Sequence, residues 1–286
     1  VLLSSSWAHG QEATVDSVEL ILKADGLTYV KGQSKPFTGK SLSFYSKSSP
    51  KKETPYLLGR KDGVEKEWYR NGELWSQARW ASGLLDGLSE SWSVSGNKVY
   101  IAAYRKGELD FANTVNQLSA LAKANEKELG SGHLDVGYVY NWIGVQYGNK
   151  GQSDIAIVNY KKALAILLRA YGPEHRDVAR VYSNLGEDYS SRSEYDLALA
   201  SWEKSLAIWE KVGEASEVVR SLKEISSIYF VRNRFAKAVE YREKAIRIEI
   251  KIYGEEHEIV ARDYYSLGLD WSSRAGHEEG SSTNTQ

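Results

Sequence analysis

The sequence predicts an α+β protein in which an N-terminal antiparallel sheet of β-hairpin repeats precedes an α-helical repeat solenoid. Two observations carry this prediction. Between Gly39 and Asp110 the chain repeats at intervals of 24 residues, with the alternating pattern of strands. After Phe111 the apolar pattern becomes helical, and a second repeat of roughly 42 residues begins. One copy of either repeat is too small to bury its own apolar face, so stacked copies are expected to form the cores.

The shorter repeat is marked by glycines, aromatic residues and turn sequences. Three series recur at its interval: Gly39, Gly63, Gly87; Phe44, Trp68, Trp92; and Tyr56, Trp80, Tyr104. The Asp-Gly pairs at Gly63 and Gly87 suit the positive-φ positions of a tight hairpin, and Asn71-Gly72 marks a second turn. Two turns per unit leave two short strands, so we expect one hairpin per unit. The first hairpin is expected to be irregular, because a Ser/Lys-rich segment at 46–52 replaces its second turn.

This stretch resembles the MORN-repeat family, in the bacterial variant described as antitoxin-like, over roughly residues 17–110. The resemblance rests on the segments Gly26-Leu27-Thr28-Tyr29, Pro36-Phe37-Thr38-Gly39 and Trp68-Tyr69-Arg70-Asn71-Gly72-Glu73. It implies a sheet of about three hairpins, and it implies contact with membranes or neutralisation of a toxin as functions. The aromatic set has two open interpretations, inner packing of a thin sheet or an exposed face for lipid or protein. That set is Trp68, Trp80, Trp92 and Tyr104.

The longer repeat places small residues at fixed positions. Gly144, Gly186 and Gly268 share one position, with Ser226 in the third unit. Small residues also recur further along each unit, at Ala156, Ala198, Ala238, Ala163, Ser205 and Ala245. Such residues allow antiparallel helices to approach closely. We expect three helical pairs that turn near residues 150–153, 192–195 and 232–235. A helix over 111–128 is expected before them, and a single helix over about 258–274 after them.

The helical part resembles the tetratricopeptide repeat, in the form found in kinesin light chains, over about residues 112–276. Besides the small residues, the resemblance rests on a Gly-x-x-His sequence that ends at His133, His175 and His257. The third unit departs from the pattern, because Arg242 stands where the other units carry Tyr160 and Trp202. We expect the three histidines to shape the starts of the first helices rather than to bind a metal, since stacked repeats hold equivalent positions about 10 Å apart.

The resemblance implies that the first helix of each pair lines a concave surface where partners bind. The predicted partner-binding residues are Tyr138, Asn141, Val145, Arg180, Ser183, Asn184, Glu187, Arg220, Lys223, Arg262 and Tyr265. Arg180, Arg220 and Arg262 hold the same position in successive units, which favours an acidic or C-terminal peptide as the ligand. Exposed helix positions are often charged for other reasons, so a purely solvating role for these arginines stays open.

The sequence predicts four segments: a signal-peptide remnant or disordered start at 1–16, hairpin repeats at 17–110, a helical solenoid at 111–276 and a disordered tail at 277–286. Val1-Leu2-Leu3, followed by serines and Ala8, is typical of the end of a secretory signal, although the charged first part of a signal is missing. Export to the periplasm or cell surface and a cytoplasmic location therefore both stay open.

Composition disfavours several classes of function. The 37 basic and 38 acidic residues nearly cancel, which disfavours nucleic acid as a partner. The absence of cysteine removes thiolate metal sites and cysteine nucleophiles. Gly-rich phosphate loops and Gly-x-Ser-x-Gly elbows are missing from the sequence as well. We therefore predict no enzymatic activity, no cofactor and no metal.

The function predicted from the sequence is a non-enzymatic scaffold that binds a protein or peptide through its helical repeats. Two alternatives stay open. The first is an envelope- or membrane-associated module whose hairpin sheet contacts lipid, and the second is an antitoxin-like protein that neutralises an enzyme.

Overall fold

The structure, a computed structural model, describes residues 13–46 and 48–283. The predicted signal remnant at 1–16 lies mostly outside the described residues. The chain divides into two compact units, Val1–Ile143 and Gly144–Gln286. The division falls inside a helix rather than at Asp110, so the four predicted segments stay a prediction about domain boundaries.

Short strands and their turns dominate the first unit, as the 24-residue period predicts. The described strands are β1 (Thr14–Asp16), β2 (Leu20–Leu22), β3 (Thr28–Val30), β4 (Gly39–Ser46), β5 (Ser49–Leu57), β6 (Arg60–Lys61), β7 (Gly63–Trp68), β8 (Leu74–Ala81), β9 (Leu84–Trp92), β10 (Lys98–Arg105) and β11 (Glu108–Leu109). Neighbours along the larger sheet follow the order β1-β4-β5-β7-β8-β9-β10-β11, with β6 beside β5, while β2 and β3 form a separate hairpin. The first hairpin, predicted to be irregular, has two register shifts between β4 and β5, whereas the pairs β7–β8 and β9–β10 have one each.

The sheet is not purely antiparallel, which corrects the predicted fold in one detail. β1 runs parallel to β4 and pairs Thr14 with Lys40. The backbone N–H of Lys40 donates to the carbonyl of Ala13 at 2.7 Å. Gly39, with φ +145°, permits this approach, because a Cβ there would overlap the backbone of Ala13. The sequence assigned no strand to the segment before residue 17, so this pairing was missed.

The tight hairpin turns lie four residues earlier than the Asp-Gly pairs predict. Two consecutive positive-φ residues, the requirement of a type I′ turn, occur at Leu58-Gly59, Ser82-Gly83 and Lys106-Gly107. The predicted turn residue Asp62 serves the following unit instead, since its carboxylate accepts a hydrogen bond from Ser82 N–H at 3.0 Å. Asp86 repeats this contact with Lys106 N–H at 3.4 Å. The aspartates therefore fix one unit against the next.

A helix, α1 (Phe111–Leu129), packs against the last long strand of the sheet. Its first turn is capped by Asp110, whose side chain accepts from Asn113 N–H. The backbone N–H of Ala103 donates a hydrogen bond to the hydroxyl of Thr114 at 2.9 Å. At the other end of the helix, the Asn125 side-chain amide donates to the carbonyl of Lys98 at 2.9 Å. These contacts place α1 on β10 and bury its apolar stripe.

Three helical pairs follow, and the predicted turns are confirmed. The helices are α2 (Leu134–Asn149), α3 (Ser153–Tyr171), α4 (Arg176–Ser191), α5 (Tyr195–Val212), α6 (Ala215–Val231), α7 (Phe235–Tyr253) and α8 (Glu258–Thr283). Each turn within a pair contains a residue of positive φ, namely Gly151, Ser193 or Asn233. α8 is described as far as Thr283. The predicted disordered tail at 277–286 stays a prediction.

The small residues of the longer repeat mark where paired helices touch. A Cβ added to Gly144 would lie 2.5 Å from the ring of Tyr160, and one added to Gly186 would lie 2.6 Å from the ring of Trp202. In the third pair Ser226 donates a hydrogen bond to the carbonyl of Ala238 at 2.7 Å. The predicted reason for these small residues, close helix approach, is therefore confirmed for Gly144, Gly186 and Ser226, whereas Gly268 on α8 has no atom within 4 Å of an added Cβ.

Candidate interaction surface of the helical repeats

The three arginines at the shared position are exposed, one on each of α4, α6 and α8. Arg180 forms an ion pair with Asp177 one turn earlier on its own helix, at 2.9 Å. Arg220 lies 2.9 Å from Glu187, and its guanidinium carbon lies 5.6 Å from the centre of the Trp202 ring. For Arg262, no ion pair occurs with any residue that the structure describes. The three cations differ in how far they are already neutralised.

The pair of Arg220 with Glu187 joins two first helices into one surface. Glu187 lies in the second half of α4, and Arg220 lies in the first half of α6. Glu224, on α6, belongs to the same patch: burial raises the pKa of its carboxyl, the charge of Glu187 raises it further, and Arg220 opposes both. The surface therefore carries acidic and basic groups together, and Glu187, itself a predicted binding residue, partly neutralises the row of arginines.

One set of predicted partner-binding residues, at equivalent positions of successive first helices, does not form a surface row; the set is Asn141, Ser183, Lys223 and Tyr265. Asn141 and Ser183 are buried, with 4% and 2% of their surfaces exposed, whereas Tyr265 is 71% exposed. Ser183 shares a 2.6 Å hydrogen bond with Ser205, whose hydroxyl also lies 3.1 Å from the carbonyl of Ala179. Ser183 therefore supports packing between α4 and α5 instead of facing a ligand, because both residues are small enough for the helices to touch there.

Lys223, predicted as a binding residue, is half-buried, and its ammonium group is paired with two carboxylates of the helical unit. Its ammonium group lies 2.6 Å from Glu249 on α7 and 2.5 Å from Asp263 on α8. Arg242 adds a fourth charge, 3.8 Å from Asp263. Both carboxylates are almost fully buried, and burial raises the pKa of Glu249. The sequence analysis did not predict this cluster. The arginine at 242, where the other units carry an aromatic residue, could have indicated a buried acidic partner.

The remaining predicted residues occupy intermediate environments. Val145 and Asn184 are half-buried on α2 and α4. Tyr138 is half-buried too, and it lies with Asn141 before the division that follows Ile143. The surface that can be described within the helical unit therefore rests on Arg180, Glu187 and Arg220, with Arg262 and Tyr265 on α8.

The histidines of the Gly-x-x-His sequences act as helix caps, which confirms the structural role predicted for them. The Nδ1 atoms of His133, His175 and His257 each accept a hydrogen bond from the backbone N–H two residues later, at 3.2 Å. Side-chain acceptors at this position satisfy backbone donors that a helix start leaves unpaired. Among the residues that the structure describes, no cluster of three or more His, Cys, Asp or Glu side chains is arranged to hold a metal ion.

The aromatic residues of the hairpin unit are neither fully buried nor fully exposed. Trp68, Trp80, Trp92 and Tyr104 are all half-buried, so both interpretations of this set stay open. Phe44, Tyr45 and Trp75 are the exposed aromatic side chains of the described strands, at 42%, 37% and 44%. No helix in the described part of the chain combines the length and apolar character that crossing a membrane requires.

Comparison with known proteins identifies the helical repeat. A family model for the tetratricopeptide repeat matches residues 135–211. A putative kinesin light chain from Podosopora anserina with nearly identical TPR-like repeats aligns over 60% of this chain and 82% of its own, at 20% identity and a TM-score of 0.53. The apo form of RapI aligns over 59% of this chain and 45% of its own, at 16% identity and a TM-score of 0.51.

A further solved structure, BtubC (BKLC) from P. vanneervenii, aligns over 52% of this chain at 22% identity and a TM-score of 0.48. The aligned part spans 60% of that protein, which is less than two thirds of its length. No curated protein matches the sequence significantly. The family match and the kinesin light chain structure agree on the fold of the helical part, and the C-terminal region of this chain contains tetratricopeptide repeats over residues 135–211.

Proposed function

We propose that the protein is a non-enzymatic interaction scaffold whose helical repeats bind an extended acidic peptide across α4, α6 and α8. The observation that carries the proposal is the recurrence of Arg180, Arg220 and Arg262 as exposed side chains at one position of three successive first helices. Tetratricopeptide repeats support a protein-binding function in general. The three arginines support the proposal that the bound ligand is acidic.

Spacing suits an extended ligand. Neighbouring helical units are stacked about 10 Å apart, and an extended chain advances about 3.3 Å per residue. One acidic side chain in every third residue could then meet one arginine. Each exposed ion pair contributes only about 0.2–1 kcal/mol, so the arginines should determine selectivity more than total affinity.

Arg220 is the position where the ligand would meet competition. Glu187 already accepts from its guanidinium at 2.9 Å, and a bound carboxylate would have to share or replace that contact. A guanidinium has five donors, so a bidentate ligand contact is chemically feasible once Glu187 releases it. Glu187 would therefore compete with acidic ligands for Arg220, so that only ligands with several carboxylates bind well.

Selection from a peptide array and titration of the selected peptides test the proposal. Replacement of Arg180, Arg220 and Arg262 by alanine should weaken acidic ligands about threefold to tenfold and abolish the preference for acidic sequences. Glu187→Gln should instead tighten them, and affinity should fall as salt rises. A matched control replaces one exposed cation on each second helix: Arg169, Lys204 and Arg247.

Equal losses in the binding and control variants would assign the effect to net charge and contradict the proposal. Unchanged selection in the binding variant, with ligands that map to the hairpin unit, would contradict it too. In that case the exposed Phe44, Tyr45 and Trp75 favour the second candidate function, contact of the hairpin unit with lipid, and anionic vesicles would be the ligand to titrate next. Neutralisation of a toxin stays a prediction from the resemblance alone.

A further inference from the structure

A cavity in the hairpin unit, separate from the helical surface, carries a further inference. It lies between the β2 hairpin and the first repeat turn and has a volume of about 500 Å³. Its lining includes Leu20, Leu22, Tyr56, Arg60, Lys61 and Trp80. This lining has an apolar wall, two aromatic rings and two cations, and it contains no acidic side chain. Pockets for small ligands usually combine an apolar lining with a few polar groups in this volume range.

The guanidinium of Arg60 is not required by the fold, because the next repeat shows the same turn with a leucine in its place. Gly59-Arg60-Lys61-Asp62-Gly63 corresponds to Gly83-Leu84-Leu85-Asp86-Gly87 one unit later. A Cβ added to Gly83 would lie 3.7 Å from the Cβ of Arg60. In the next unit, a Cβ added to Gly107 would lie 3.4 Å from the Cδ2 of Leu84, so the two side chains pack in the same way. Leucine therefore satisfies the packing at this position, and the guanidinium of Arg60 is additional to it.

Only one of the two charges remains uncompensated. Lys61 lies 2.8 Å from Glu65 and 4.3 Å above the ring of Trp80. Burial alone would raise the pKa of Glu65, but hydrogen bonds from Lys61 and Thr54 and the charge of Lys52 outweigh it and hold that pKa below its usual value. Glu65 is therefore ionised and cancels Lys61. Arg60 is exposed and forms no ion pair with any residue in the described ranges.

We propose that this cavity binds a small monocarboxylic acid with an aromatic or branched apolar body. The carboxylate would meet the guanidinium of Arg60, which favours planar, bidentate contact. The apolar body would lie against Leu20, Leu22 and the ring of Trp80. A single free positive charge beside an apolar wall fits a monoanion better than a polyanion, for which the cavity offers no second uncompensated cation.

The test is a two-dimensional NMR titration of the full chain with 3-phenylpropionate, which follows the backbone amides of Gly59, Lys61 and Gly83. We expect saturable shifts at these amides, and we expect the uncharged 3-phenylpropanamide to bind about fivefold more weakly. Arg60→Leu should weaken the acid by a similar factor and leave the amide unaffected. Because Leu84 has the same packing role, this variant should keep the fold, and Arg60→Gln, which keeps the aliphatic stem, is a second version.

The control is Lys123→Gln, which removes an exposed cation on α1 and should leave both dissociation constants unchanged. A peptide that ends in phenylalanine with a free carboxylate separates two sources of the same chemistry. Tighter binding of that peptide than of 3-phenylpropionate would assign the cavity to chain ends and overturn the proposed small acid. Equal affinity of acid and amide, no effect of Arg60→Leu and Arg60→Gln, or shifts confined to other amides would each overturn the carboxylate site.

Discussion

At the scale of single residues, equivalent glycines of the helical repeat have different surroundings. Gly186 faces the ring of Trp202, so no side chain can be added without displacing the indole. Gly268 holds the same repeat position on α8 but has nothing within 4 Å of the Cβ it lacks. The sequence pattern treats these glycines as one class, whereas their energetic roles depend on whether a partner helix lies opposite.

Alanine substitutions at these two positions should have different effects on stability. Gly186→Ala should lower the free energy of unfolding by about 1–3 kcal/mol, because the new methyl group overlaps the Trp202 ring. Gly268→Ala should be neutral or raise it by up to about 1 kcal/mol, since alanine favours helix and the site is open. Urea unfolding followed by far-UV circular dichroism measures both. A loss of similar size in both variants would contradict the assigned role of the Trp202 contact.

At the scale of elements, a buried charge cluster attaches the last helix to the pair before it. Lys223 on α6 bridges Glu249 on α7 and Asp263 on α8, and Arg242 approaches Asp263 from α7. Next to the cluster, Val239, Ile246, Val260 and Leu267 form a small apolar core between α7 and α8. One Oε atom of Glu249 is buried without a hydrogen-bond partner, so the cluster depends on Lys223 for compensation.

Lys223→Met should therefore destabilise the end of the helical unit. It leaves Glu249 and Asp263 buried together with Arg242 as the nearest remaining cation, and removal of one partner of a buried ion pair typically costs about 3–5 kcal/mol. Hydrogen exchange should accelerate first in α8 and the second half of α7. The control Arg247→Met removes an exposed cation paired with Glu243 at 3.9 Å and should change stability by less than about 1 kcal/mol. Unchanged exchange in α8 of the Lys223 variant would show that the apolar core alone holds this helix.

At the scale of the whole molecule, the two compact units are stabilised by different kinds of contact. In the hairpin unit, successive repeats are joined by backbone pairing and by turn contacts such as Asp62 with Ser82 N–H. In the helical unit each helix packs on its sequence neighbours, with large side chains such as Trp202 placed between them. Arrays of this kind gain stability from nearest-neighbour interfaces, so damage to a central repeat should spread in both directions.

Replacement of a central and of a terminal core residue should show this difference. Trp202→Ala removes a fully buried ring from α5 and should cost about 3–5 kcal/mol, with faster hydrogen exchange in both α4 and α6. Val260→Ala, at a fully buried position of α8, should cost less and accelerate exchange only in α7 and α8. Exchange that rises equally across all helices in both variants would indicate one cooperative unit and contradict nearest-neighbour behaviour.

The sequence by itself determined the features that depend on spacing along the chain. The intervals between Gly39, Gly63 and Gly87 predicted hairpin units, and those between Gly144 and Gly186 predicted helical pairs and the positions of their turns. Periodicity suffices for these features because it dictates which face of a strand or helix each residue occupies. The arginines Arg180 and Arg220 could be placed on an exposed helix face for the same reason.

Only the tertiary structure decided which of those residues meet across elements. It buried Ser183, paired Lys223 with two buried carboxylates and Arg220 with Glu187, and brought β1 alongside β4. It also left Arg60 uncompensated beside a cavity formed with the β2 hairpin. Contacts of this kind join residues that are distant in sequence. They depend on small differences in the separation of packed elements. A repeat period carries no information at that precision, because equivalent positions such as Gly186 and Gly268 have the same period and different neighbours.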